Sequence, residues 1–326
     1  MIWVALICGL VLYRLVKPFF NDDDSLMDLE TSNANALFSV AKRLEKLYRG
    51  SRVYVGLQIP DPDSASRQNI DLVLVTDEEA VVISVKNVSG FFSVDKDGNL
   101  VCTSGKHHKT ELIPNPVAES KQLISILEEY LEQRGVALPE EYLSFKVICP
   151  NPNFCSIHPD SFPPEIITRD QWTQFKPEQK KVSSGWFKGA FLGGNKKNQG
   201  SFSEKLNSVL STAPVLDRLE FKGNKYVLGE FLEFKGKRDD IHALREIKRS
   251  KVSRLTIQKI SMFGFAHSTL QLLYAPRDYR SEGPSWSSQW KELTVNSSTE
   301  VVFQPQNSTK VRKYKLSSIV SMSLSA

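Results

Sequence analysis

The stretches Ile70-Asp71-Leu72-Val73-Leu74-Val75 and Val81-Val82-Ile83-Ser84-Val85-Lys86-Asn87 flank the acidic segment Thr76-Asp77-Glu78-Glu79. They read as two apolar strands joined by a turn. An aspartate opens the first strand and a lysine closes the second. With the turn centred between Glu78 and Glu79, Asp71 is expected opposite Lys86. Ser84 and Lys86 share a face, because side chains alternate along a strand. A carboxylate and an ammonium at the mouth of a buried hairpin suit phosphodiester chemistry. The carboxylate holds a hard divalent cation, and the lysine orients a water or stabilises charge on the phosphate. Such a layout calls for a second carboxylate at position 84, where this chain has a serine. The plain structural alternative is that Asp71 ends a strand and Lys86 is a snorkelling edge lysine.

Working outward, residues 33 to 48 place Leu37, Val40, Ala41, Leu44 and Leu47 at helical spacing, with Lys42, Arg43, Glu45 and Lys46 opposite. Residues 52 to 58 read as a strand. Lys96-Asp97-Gly98-Asn99 is a tight turn between two short strands. Asn115-Pro116 opens a helical segment from Val117 to Gln133, and Phe145 to Cys149 is another buried strand. Helix, antiparallel strands, helix, strand is an α/β order.

These residues resemble the nuclease-related domain family, within the PD-(D/E)xK endonuclease-like superfamily, over about residues 33 to 175. The resemblance rests on Asp71, the run Val82 to Asn87, Ser89-Gly90 entering the next strand, and the helix after Asn115-Pro116. It extends to plant-type, membrane-anchored members. It implies a restriction-endonuclease-like α/β core, a mixed sheet flanked by helices. It also implies Asp71 as a metal ligand, Lys86 as the catalytic lysine and Mg²⁺ as the cofactor if the site is active. Ser84 departs from the pattern as the degenerate position of the acid–x–lysine pair. Glu119, on the following helix, is the replacement ligand that the resemblance allows.

Length and composition fit two domains. The chain has 326 residues and a formal net charge of +5, which permits an anionic partner without requiring one. Its four cysteines, Cys8, Cys102, Cys149 and Cys155, lack the spacing of a disulfide scaffold. Cys149, Cys155 and His158 suggest a metal site, but no fourth ligand follows at a zinc-like spacing, so buried thiols are the simpler reading.

The first thirteen residues, MIWVALICGLVLY, carry no charge, and Leu15, Val16, Phe19 and Phe20 extend the apolar character. About twenty such residues cross a bilayer core. Residues 1–20 are therefore expected to be a transmembrane anchor. Arg14 and Lys17 follow the run instead of preceding it, which argues against a signal peptide and for a single-pass protein with a cytosolic body. Residues 21–32 read as an acidic linker.

Residues 33–176 are then the nuclease-related domain. Residues 177–210, rich in Gly, Ser and Lys, read as a basic linker without the Gly-Lys-Ser/Thr ending of a P-loop. Residues 211–326 hold strand-like segments and turns, expected to form a small all-β barrel or sandwich. Its basic cluster, Lys235, Lys237, Arg238, Arg245, Lys248, Arg249, Lys251 and Arg254, is either a solvated face or a contact for nucleic acid or anionic lipid. Two function classes remain open: a Mg²⁺-dependent nuclease, and a degenerate nuclease fold used for binding or scaffolding.

Overall fold

A computed structural model describes residues 30–64, 66–103, 110–139, 141–176, 196–259, 269–277 and 290–325. The chain divides into two compact units, one of residues 36–216 with the last two residues, the other of residues 1–35 with 217–324.

The unit of residues 36–216 follows the expected α/β order. Helix α1 covers residues 30–47. Strands β1 (Arg52–Pro60), β2 (Arg67–Val75), β3 (Ala80–Val85), β4 (Gly90–Val94), β5 (Leu100–Thr103) and β6 (Thr110–Ile113) come next. They are followed by α2 (Pro116–Glu132), β7 (Leu143–Ile148), β8 (Phe154–Ser156), β9 (Ile166–Ile167), α3 (Arg169–Gln174) and α4 (Lys196–Thr212). A five-stranded sheet runs β1-β2-β3-β7-β9 and a four-stranded sheet runs β6-β5-β4-β8. The meander β1-β2-β3 is antiparallel, whereas β3, β7 and β9 are parallel. Leu57, Val73 and Val82 on the large sheet share a core with Leu123 and Leu127 of α2 and Leu206 and Leu210 of α4. Phe92, Leu100, Cys102 and Phe154 of the small sheet pack with Val147 and Cys149.

The end of the expected linker is helical. Leu206 and Leu210 lie one helical turn apart, and Phe202 and Val209 flank them. This stripe is embedded among Gly, Ser and Lys, so composition reads as linker while the spacing builds a buried helix face. Residues 177–195 lie outside the described residues.

The hairpin register differs from the expected one. Val75 pairs with Ala80 and Leu72 with Ile83, so the turn is Thr76–Glu79, centred between Asp77 and Glu78. The Thr76 hydroxyl oxygen accepts the N–H of Glu79, and the Thr76 N–H donates to the Glu79 carbonyl at 2.9 Å. This local closure sets the register. Continued by one residue, it places Asp71 across from Ser84, with Lys86 two residues further on. A shift of two residues keeps every side chain on its expected face.

The second unit contains β10 (Asp217–Phe221), β11 (Lys225–Lys235), α5 (Arg238–Leu244), β12 (Val252–Lys259), β13 (Thr269–Pro276), β14 (Lys291–Asn296), β15 (Glu300–Pro305), β16 (Arg312–Lys315) and β17 (Ile319–Ser323). All eight strands lie in one sheet, ordered β14-β13-β12-β17-β10-β11-β15-β16. The first and seventh strands of that order, β14 and β15, are joined by only Ser297, Ser298 and Thr299. A flat sheet would hold them roughly 29 Å apart at about 4.8 Å per strand, whereas the link reaches roughly 14 Å. The sheet is therefore curled around one core, which includes Leu219, Val227, Leu255, Leu272, Val301, Phe303 and Met322.

The fold expectation also included an N-terminal transmembrane helix, and this is corrected. Among the described residues no helix is long and apolar enough to cross a membrane. An uncharged run of thirteen residues is short for a span, and the charges at Arg14 and Lys17 interrupt its extension. The expected anchor, residues 1–20, itself lies outside the described residues.

Candidate functional site

Four local devices assemble the candidate site. The first is a kink in β1. Gly56 has φ +66, a conformation that only glycine adopts routinely. It faces Asp71 in the register between the pairs Val55–Leu72 and Leu57–Ile70. Its carbonyl accepts the Leu216 N–H at 2.8 Å. The strand thus bends beside Asp71.

The second is Asp71 itself. Its Oδ2 accepts the backbone N–H of Val85 at 2.8 Å, and its Oδ1 accepts from Asn69 Nδ2 at 3.2 Å. The carboxylate continues the β2–β3 ladder past the last backbone pair. Asn69 was not singled out by sequence reasoning. Its position two residues before Asp71 on one strand is the signal that finds it. With Nδ2 donating to a carboxylate, Asn69 Oδ1 is left as the acceptor, and it is buried without a hydrogen-bond partner among the described residues. Buried polar atoms in that state are uncommon.

The third is the carboxyl end of β3. Val85 pairs with Ile148 in the parallel ladder, and the Lys86 N–H donates to the Ile148 carbonyl at 2.9 Å. Lys86 therefore leaves the sheet at the carboxyl ends of two parallel strands, where open α/β sheets carry their ligand crevice. Ser84 is buried, 5% exposed. Cys149 follows β7; burial pushes its thiol up to about 12, while the nearby Lys86 charge pulls it the other way.

The fourth is the start of α2. Asn115 caps it, accepting the N–H groups of Val117 and Ala118 at 3.0 and 3.1 Å, and Pro116 occupies the first helical position, where a missing N–H costs nothing. Asn115 Nδ2 also donates to the Asp97 carbonyl at 2.8 Å, and the Asn115 N–H to Asn99 Oδ1 at 3.0 Å. The helix start is thereby fastened to the turn Asp95–Asn99. This fixes Glu119 in the first turn, where its Oε2 lies 2.8 Å from Lys86 Nζ.

The structure thus joins Lys86 to Glu119, and Asp71 to Val85 and Asn69. Glu119, expected as a replacement metal ligand, has its carboxylate on the lysine. Among the described residues no group of three or more His, Cys, Asp and Glu side chains is arranged to hold a metal ion. Magnesium is held by one or two carboxylates together with substrate phosphates and water. Here each Asp71 oxygen accepts one N–H, Ser84 offers a neutral hydroxyl, and the Glu119 carboxylate is paired with the lysine. Cys149, Cys155 and His158 form no metal group either; Cys149 is buried and Cys155 exposed, both as free thiols.

In the β unit, Arg249 contacts Asp217 Oδ2 at 2.6 Å and Glu230 at 2.5 Å. Lys251 and Arg245 pair with Glu246, and Lys235 with Glu233. Half of the basic cluster is therefore engaged internally.

No curated protein matches this chain. The family model of the nuclease-related domain (NERD) matches residues 32–149, well under half of the sequence. Residues 32–149 carry a nuclease-related domain, and Asp71, Ser84, Lys86 and Glu119 all fall within it.

Proposed function

We propose that the nuclease-related unit is a binding module built on a degenerate nuclease site, one that engages a phosphate-bearing partner through Lys86 without cleaving it. The observation that carries this reading is the 2.8 Å pair between Lys86 and Glu119. With serine at position 84, Glu119 is the carboxylate that a hydrolytic site would recruit, and it is on the lysine instead. Asp71, tied to the Val85 N–H, acts as a strand-end fastener. Lys86 keeps its position at the carboxyl ends of β3 and β7, where it offers a point charge to phosphate.

Nucleic acid is the partner class that this reading favours. The β unit supports it with Lys237, Arg238, Lys248 and Arg254, which are exposed. The alternative, a Mg²⁺-dependent phosphodiesterase, draws on the same Asp71 and Lys86 and requires a different donor set around the cation.

Fluorescence anisotropy with short single- and double-stranded DNA and RNA tests the reading. The full chain should bind at least one probe with a salt-dependent affinity, since phosphate contacts release counterions, and Lys86→Ala should weaken that binding. Equal affinity in wild type and Lys86→Ala contradicts it.

A further inference from the structure

The Lys86–Glu119 pair is unequal. The Lys86 side chain is 21% exposed and the Glu119 side chain 50%. Lys86 is held from below, since its backbone extends the β3–β7 ladder. Glu119 sits in the first turn of α2, and among the described residues its carboxylate is held by the ion pair alone. The lysine is the more buried member and the carboxylate the more exposed one.

The surroundings limit what else could occupy this position. The first-turn N–H groups of α2 are already bonded, those of Val117 and Ala118 to Asn115 Oδ1 and that of Glu119 to the Asn115 carbonyl. The helix start therefore contributes only its dipole, which favours an anion beside it. Cys149, buried beneath, is held neutral by burial. Asp71, across from Ser84 when the hairpin register is continued, accepts the Val85 and Asn69 N–H groups on its carboxylate. A carboxylate and a phosphate both present acceptor oxygens to an ammonium; inorganic phosphate carries more charge than a carboxylate, and a phosphodiester carries the same single charge.

We propose that Lys86 is an anion site whose resident occupant is the Glu119 carboxylate, and that a phosphate group binds there by displacing Glu119 from the lysine. The contact is thus an internal competitor that lowers the affinity of the site. This deepens the binding reading and rests on it for the nature of the partner. A half-exposed ion pair is worth at most a factor of about five in an equilibrium constant, so displacement is within reach of a single phosphate.

Two measurements on the full chain test it. The first is protection of Lys86 from an amine-reactive label by inorganic phosphate, read by mass spectrometry in wild type and Glu119→Gln. The second is anisotropy of a single-stranded oligonucleotide with wild type, Glu119→Gln, Lys86→Ala/Glu119→Gln, and Glu128→Gln as a control for net charge on the same helix. Glu119→Gln should bind both probes about three- to fivefold tighter. The double variant should lose that gain, and Glu128→Gln should match wild type. If oligonucleotide binding is absent throughout while phosphate protects Lys86 better in Glu119→Gln, the competitor stands and the nucleic-acid reading falls. If Glu119→Gln leaves phosphate protection unchanged, or if its gain in affinity persists without Lys86, the competitor is wrong.

Discussion

Asp71 and Val85 are joined by a side chain at the point where backbone pairing between β2 and β3 stops. Oδ2 of Asp71 accepts the Val85 N–H at 2.8 Å, beyond the last backbone pair of Leu72 with Ile83. The aspartate at the head of the hairpin therefore has a structural task that is independent of any chemistry. Asp71→Ala strips that N–H of its acceptor and should cost about 1–3 kcal/mol in urea denaturation. Asp71→Asn keeps a carbonyl oxygen for Val85 and should cost less. Equal stability of wild type and Asp71→Ala would show that the bond contributes nothing.

Asn115 is the second fastener of the site. Asn115→Ala removes the cap of α2 and the bond to the Asp97 carbonyl. The expected loss is about 1–2 kcal/mol. Gly98→Ala should act on the same contact, since a Cβ there would lie 2.3 Å from Asn115 Nδ2 at a backbone φ of +79. Thermal denaturation of the two single variants and their combination should show a clearly sub-additive loss, because both break one junction.

Glu79 lies at the opposite end of β3 from Lys86. Burial lifts its carboxyl from 4.5 to about 7; the Ser144 hydroxyl and Lys146 oppose the rise and Glu78 adds to it. Between those two values the folded state holds a proton that the unfolded chain has released. Stability is therefore highest below about pH 4.5 for this group and falls as pH rises to about 7. Allowing for the partial exposure of the group, the loss is about 1 kcal/mol. Glu79→Gln should flatten this part of the stability-against-pH curve and stabilise the protein at pH 8. An unchanged slope in the variant would contradict the assignment.

In the β unit, Arg249 and Lys251 are close in sequence and should differ sharply. Arg249 grips Asp217, which is fully buried. Arg249→Ala takes the guanidinium from a buried carboxylate that also accepts the Phe231 N–H and should cost about 3–5 kcal/mol. Lys251 pairs with Glu246 at the surface, and Lys251→Ala should cost less than about 1 kcal/mol. Chemical denaturation of the two variants distinguishes a buried anchor from a solvated pair.

The continuous apolar runs Leu72-Val73-Leu74 and Val81-Val82-Ile83, joined by an acidic turn, made the central hairpin legible, and Asn115-Pro116 made the start of α2 legible to within a residue. Both signals are local: a short apolar run bounded by a turn and a capping side chain each act over a few residues. The register was not legible, because the Thr76 hydroxyl and not the charge pattern of the turn closes it. Helix α4 was hidden by composition, since its four apolar positions lie among serines, lysines, asparagines and a glycine. The partnership of Lys86 with Glu119 spans 33 positions and depends on how α2 is fastened to the turn Asp95–Asn99. No window of sequence contains that information, and Gly56 joins the site by the same long-range route, whereas Asn69 lies only two residues from Asp71.

The account stands most directly on whether this hairpin cleaves phosphodiesters. Wild-type protein and Lys86→Ala should be incubated with single- and double-stranded DNA and RNA in Mg²⁺ or Mn²⁺, and the products resolved by gel electrophoresis. A degenerate site predicts no metal-dependent cleavage by wild type above that of Lys86→Ala. Robust wild-type cleavage that Lys86→Ala abolishes would contradict it.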